Sequence, residues 1–137
     1  MSEASNEPIS REERIASQRL YNAVIVLLSM HSRMTVQMAT AFLHVAAKEE
    51  QTVAELAAKC EVSAAVMSRH LRNLGGINRH NRAGLELVVL VQRVHGDRRE
   101  RRAVLTERGI RAAQLMITAL TEKTPRRVGP RPRQPLV

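Results

Sequence analysis

A chain of 137 residues is long enough for one domain with a real core and too short for two, and its 44% apolar content is that of a globular protein. Its 22 Lys and Arg against 13 Asp and Glu give a net charge of +9, placed unevenly: residues 1–50 carry −1 and residues 51–137 carry +10. A neutral half joined to a basic half suits a packing module beside a nucleic-acid-binding one, and a single cysteine, Cys60, excludes a disulfide framework within the chain and fits a reducing compartment.

The opening "MSEASNEPIS" has no basic, apolar signal pattern, and residues 1–9 are expected to form a flexible arm. Ser10 and Glu13 have the spacing of a capping box, which predicts a helix over 11–30. The second half of that helix, "LYNAVIVLLSM", is apolar on nearly every face, so it must be covered on more than one side. In a chain this small the second cover is expected to be another protomer, giving a homodimer. The longest apolar run, "AVIVLL" at 23–28, is far below the roughly 20 residues that span a bilayer, so no membrane segment and a cytoplasmic location are expected.

Thr35 can cap a second helix carrying Met38, Phe42 and Val45 on one side. Thr52 and Glu55 form another capping box, opening "VAELAAKC", where Val53, Leu56, Ala57 and Cys60 make one stripe and Cys60 reads as a small buried hydrophobe. Ser63 then caps "AAVMSRHLRNL", with Met67, Leu71 and Leu74 facing inward, and Gly75 and Gly76 are expected to close it in the left-handed conformation.

After the polar loop "INRHNRAG", the β-branched and leucine-rich "LELVVLVQRV" predicts a strand over 85–94. His95, Gly96 and Asp97 read as a turn and Arg101 to Leu105 as the returning strand, with Asp97 expected to pair with a neighbouring arginine. Thr106 caps a last helix on which Ile110, Ala113, Ile117 and Leu120 are spaced as one face. The tail "TPRRVGPRPRQPLV" holds four prolines and four arginines without apolar periodicity and is expected to be disordered. The expected division is an arm over 1–9, a folded domain over 10–123 and a basic, proline-rich tail over 124–137.

Two short capped helices joined by "CEVS" make a helix-turn-helix, with Ala57 and Ala58 allowing close packing at the corner. Glu61 stands where glycine often makes the turn, a modest conformational cost. The second helix would present Ser63, Ala64, Ala65, Ser68, Arg69 and Arg72 to the major groove. Its small residues allow close approach, and an arginine one turn later can reach guanine O6 and N7 with two hydrogen bonds. A basic hairpin directly afterwards is the wing of a winged helix, whose Arg98, Arg99 and Arg101 suit the phosphate backbone or a narrow minor groove. The expected fold is therefore mainly α with a small β-hairpin, a winged helix-turn-helix whose N- and C-terminal helices serve dimerisation.

The segments "ELAAKCEVSAAVMSRHLRNL" and "DRRERRAVLTERG" resemble the helix-turn-helix and the wing of the multiple-antibiotic-resistance-regulator (MarR) family of bacterial transcription factors, over about residues 52 to 110. In that family an Asp-Arg-Arg wing tip precedes a Leu-Thr-x-x-Gly helix start by eight residues, as Asp97 precedes Leu105 here. The resemblance implies a sequence-specific double-stranded DNA-binding transcriptional regulator in compact form, with Ser68 and Arg69 in the major groove and Arg98 and Arg99 at the wing tip. Two departures stand out: the extra "GINRHNRAGL" before the wing, and a single helix before the tail where the family has a longer dimerisation arm. The family's small-molecule effector pocket is for that reason not carried over.

Other classes fit less well. His31, His44, His70, His80 and His95 lack close spacing and acidic or cysteine companions, so neither a metal site nor a cofactor is expected. No phosphate-binding glycine loop and no nucleophile with a matching base is present, which argues against an enzyme. Tyr21 and Phe42 are the only aromatics and both sit in apolar helical settings, which favours duplex over single-strand recognition. The alternative is a winged-helix adaptor or architectural DNA-binding protein in a replication or recombination assembly of a phage or mobile element.

Overall fold

The structure is a computed structural model that describes residues 8–76 and 84–122. The tail, most of the arm and the 77–83 part of the insertion lie outside the described residues. Among the described residues, five helices and three strands follow in the order α1 (Arg11–Met30), α2 (Val36–Ala47), β1 (Gln51–Thr52), α3 (Val53–Cys60), α4 (Ala64–Leu74), β2 (Val88–His95), β3 (Arg98–Leu105) and α5 (Glu107–Thr121).

Each helix begins where a side-chain oxygen meets its orphan amides. Ser10 accepts from the Glu13 amide while the Glu13 carboxylate takes the Ser10 amide, so the expected capping box is closed. Thr35, Thr52, Ser63 and Thr106 accept from the amides of Met38, Glu55, Val66 and Gly109.

Phe42, Val45, Leu56, Met67, Leu71 and Leu74 from α2, α3 and α4 join Leu87, Val88 and Ala103 in one buried cluster. Ala23 and Leu27 of α1 and Ala112 and Met116 of α5 extend it. Helices α1 and α5 pack on each other, and the Arg19 Nε donates to the Glu122 carbonyl at 2.6 Å, tying the end of α5 to the middle of α1.

The sheet has the order β1-β3-β2 and is antiparallel throughout, three strands where the sequence predicts a two-stranded hairpin. Strand β1 is two residues long, too short for an alternating pattern to register. Its Gln51 stands opposite Ala103, fully buried, and its amide nitrogen donates to the carbonyls of His44 at 2.9 Å and Lys48 at 2.7 Å while its oxygen accepts from the Lys59 ammonium.

The hairpin is longer and later than its composition suggests. Pairing runs from Val88↔Leu105 to His95↔Arg98 around a two-residue turn, so Arg98, Arg99 and Glu100 are strand residues rather than loop. Gly96 takes a positive φ of 59° at the first turn position, the place glycine fills in hairpin turns whose twist matches the strands. Leu85 and Glu86 are not strand, because Glu86 lies in the left-handed region. Residues 85–87 instead satisfy the end of α4: the amides of Leu85, Glu86 and Leu87 donate to the carbonyls of Asn73, Gly75 and Leu74.

That arrangement also corrects the expected ending of α4. Gly96 is the one glycine with positive φ among the described residues, so Gly75 and Gly76 do not close the helix in left-handed geometry. The close approach falls to Gly84, where a Cβ would stand 2.0 Å from the Gly75 carbonyl oxygen.

The inward face of α5 is Gly109, Ala112 and Met116. The stripe Ile110, Ile117 and Leu120 points outward, together with Leu115, while Ala113 is half-buried at its border. On α1, Leu20, Tyr21, Val24 and Leu28 are likewise exposed. No helix among the described residues is long and apolar enough to cross a membrane.

Candidate nucleic-acid interface

Helices α3 and α4 meet at a sharp corner made by Glu61, whose φ of 55° and ψ of 43° place it in the left-handed region. Its amide donates to Ala58, and the next amide, of Val62, donates to Ala57, closing the end of α3. Ala57 packs in the corner, whereas Ala58, expected there too, faces solvent.

Helix α4 buries Met67, Leu71 and Leu74 and turns Ser63, Ala64, Ala65, Arg69 and Arg72 outward, with Ser68 half-buried at the border. The six residues expected on the outward side thus occupy one side, although the Ser63 hydroxyl is engaged as the helix cap. His70 lies half-buried beside them, and burial, followed by the charge of Arg69, holds its imidazole below the ordinary value. Its Nε2 is buried without a hydrogen-bond partner among the described residues.

The hairpin divides its charges between its two faces. Residues paired across strands share a face, so Leu90 and Ala103, Gln92 and Arg101, and Val94 and Arg99 lie on one side, continuous with the core and with the helices that build it. Arg93 with Glu100, and Val91 with Arg102, lie on the other. On that second side Glu50 pairs with Arg93 at 2.5 Å and Glu100 with Arg102 at 2.5 Å. The Glu50 carbonyl also takes a hydrogen bond from Arg102 at 2.8 Å.

Arg98, Arg99 and Arg101 are exposed, and their side chains carry no hydrogen bond or ion pair among the described residues. Asp97, expected to pair with a neighbour, is exposed in the turn and forms none, since the partners of the hairpin arginines are Glu50 and Glu100. In the sequence alone "KEEQ" is no more than a connection between helices. Yet Glu49 accepts from the Leu105 amide at 3.0 Å and the Glu50 amide donates to the Ala103 carbonyl at 2.8 Å, so this segment fixes the root of the hairpin. Strand parity separates Arg102 from Arg99 and Arg101 once β3 is started at Arg98.

A three-helix core of α2, α3 and α4, a strand leading into the helix-turn-helix and a hairpin directly after it define a winged-helix fold. The fold is similar to that in the crystal structure of RV1404 from Mycobacterium tuberculosis, with a TM-score of 0.60 and 16% sequence identity. That match covers 80% of this chain and 66%, just under two thirds, of the other. At such identity the likeness is one of fold alone. No protein-family model matches the sequence, and no curated protein does.

Among the described residues no three His, Cys, Asp or Glu side chains are grouped to hold a metal ion.

Proposed function

We propose that this protein binds duplex DNA in a sequence-specific manner and regulates transcription in the cytoplasm as a homodimer, in the manner of a compact MarR-like regulator. The observation that carries the reading is the joint placement of Ala64, Ala65, Ser68, Arg69 and Arg72 on the free side of α4 with the unpaired Arg98, Arg99 and Arg101 on the neighbouring hairpin. Small residues and arginines on a helix suit base edges in the major groove, and cations at the tip of a ribbon suit phosphates. The outward apolar residues Leu20, Val24 and Leu28 on α1 and Ile117 and Leu120 on α5, two helices packed on each other, support the dimer. Its two recognition helices would then address half-sites about one helical turn, roughly 10 base pairs, apart.

The test is to select duplexes from a random-sequence pool with the full-length protein and titrate the selected duplex, a scrambled duplex and the matching single strand at several salt concentrations. Arg69→Ala is expected to cost about 1 to 3 kcal/mol on the selected duplex and far less on the scrambled one. Replacing Arg98 and Arg99 by alanine should weaken both, lowering the salt slope by about one for each phosphate that is no longer neutralised. Equal binding of duplex and single strand would overturn the reading, and a protein that selects no duplex but captures a protein through α1 and α5 would be the adaptor of the alternative. Light scattering at micromolar concentration tests the dimer, which a clean monomer mass would exclude.

A further inference from the structure

The hairpin face that carries Arg99 and Arg101 also carries an exposed valine. Val94, 67% exposed, sits directly opposite Arg99, and Gln92 sits directly opposite Arg101. No acidic residue belongs to this face between Val88 and Leu105, whereas the opposite face holds the Glu50–Arg93 and Glu100–Arg102 pairs. The two unpaired arginines, the amide and the valine therefore form one continuous patch on the side of the sheet where α2, α3 and α4 pack.

Phosphates account for the arginines but not for the valine, which offers a phosphate nothing and loses water-exposed apolar area only against another apolar or smooth surface. The minor-groove floor of A·T pairs is the smooth one, because adenine N3 and thymine O2 lie in it with no amino group projecting from it. A G·C pair adds the protruding guanine N2 amino donor, which would be left unpaired against an aliphatic side chain. Narrow A·T-rich minor grooves also concentrate the negative potential that draws arginine inward.

On the reading that this face of the hairpin, with Arg99, Arg101 and Gln92, lies in the minor groove flanking the major-groove site, we infer that Val94 makes the hairpin reject G·C pairs there. Arg98, on the opposite face of the hairpin, contributes charge and no selectivity. The inference rests on the duplex-binding reading above.

The experiment takes a duplex selected from a random pool by the full-length protein and rebuilds about six flanking base pairs at each end in three forms: A·T, G·C and inosine·C. Inosine·C keeps the major-groove pattern of G·C but lacks the N2 amino group, so it isolates the minor groove. The wild-type protein is expected to bind the A·T and inosine·C flanks alike and the G·C flanks about tenfold more weakly. Val94→Asn, whose amide oxygen can accept from guanine N2, should shrink that ratio to about threefold or less, and Arg98→Ala should leave it intact. Arg99→Ala with Arg101→Ala should lower affinity for all three duplexes and collapse the ratio. Tight binding of the selected core with no flank preference, or inosine·C behaving like G·C, overturns the inference while leaving the duplex-binding reading standing. Loss of the ratio in Arg98→Ala but not in Val94→Asn does the same. Failure to select any duplex overturns both.

Discussion

The carboxylate of Glu50 reaches across the sheet to the guanidinium of Arg93, 43 residues further along the chain, and closes at 2.5 Å while Glu50 itself holds a left-handed φ of 65°. Both side chains are about half exposed, so the pair contributes little to folding, on the order of 0 to 1 kcal/mol. Its electrostatic effect is on the hairpin, where one arginine is neutralised and kept from the unpaired three. Glu50→Gln, which keeps the backbone demand similar, is expected to change the urea midpoint little and to raise affinity for a scrambled duplex, steepening the salt slope by up to about one. Fluorescence anisotropy at three or more salt concentrations measures this, and a weaker, shallower response in the variant would show that Glu50 aids binding by positioning Arg93.

Gly109 sits in the first turn of α5 with its Cα against the Leu87 carbonyl, and a Cβ built there would stand 2.0 Å from that oxygen. Since the obstacle is backbone that also receives the Thr106 amide, it cannot swing aside as a side chain would. Gly109→Ala should therefore destabilise the fold by about 3 kcal/mol, despite the roughly 0.5 to 1 kcal/mol that alanine gains over glycine in a helix. Gly76→Ala, where nothing lies within 4 Å, should be close to neutral. Equilibrium unfolding in urea compares the two.

At Glu61 the left-handed corner strains any residue with a Cβ by about 1 to 2 kcal/mol. Glycine removes that strain but loses roughly 0.5 to 1 kcal/mol through the freer unfolded chain. Glu61→Gly is thus expected to be neutral to slightly stabilising, by less than about 1 kcal/mol, whereas Glu61→Val should destabilise clearly because branching at Cβ worsens the clash. Thermal melts of the three proteins test the order, and a valine variant as stable as the parent would contradict the corner geometry.

His70 gives the fold a pH dependence of definite sign. Its imidazole is held below the ordinary value of 6.5, first by burial and then by Arg69, so near and below pH 6.5 the unfolded chain binds more protons than the folded one. The contribution of the neutral ring is fully present above that pH and declines as pH falls toward the folded-state value. Urea midpoints at pH 7.5 and 5.5 should differ more for the parent than for His70→Gln. An equal difference in both would remove His70 as the source.

Much of this arrangement is legible in the sequence because it is local. The caps at Ser10, Thr35, Thr52, Ser63 and Thr106 act within three residues, and the stripe Met67, Leu71, Leu74 repeats at helical spacing, so both survive without tertiary knowledge. What escapes is non-local. Gln51 reads as a polar loop residue, and its burial follows only from three partners contributed by α2 and α3. The end of α4 depends on residues 85–87 returning to its last carbonyls after an insertion, which a glycine pair at 75 and 76 does not announce. On α5 the stripe Ile110, Ile117, Leu120 is the more apolar one, but the inward stripe is Gly109, Ala112 and Met116, and it starts with a glycine because the Leu87 backbone stands too close for any side chain there. For the interface, the exposed side of α4 is accessible from periodicity, while the two-faced hairpin requires a register that starts at Arg98.

The Gln51 side chain joins the last turn of α2, the Lys59 end of α3 and, through its strand pairing with Ala103, the root of the hairpin. Amide hydrogen exchange should register this as a single cooperative opening: the amides of Val45 and Leu56 and the ladder around Ala103 exchange together at the highest protection, while the ladder from Gln92 to Arg101 exchanges earlier and on its own. Helices α2 and α3 and the base of the hairpin should thus open as one slow unit, with the outer half of the hairpin a fast finger hinged on it.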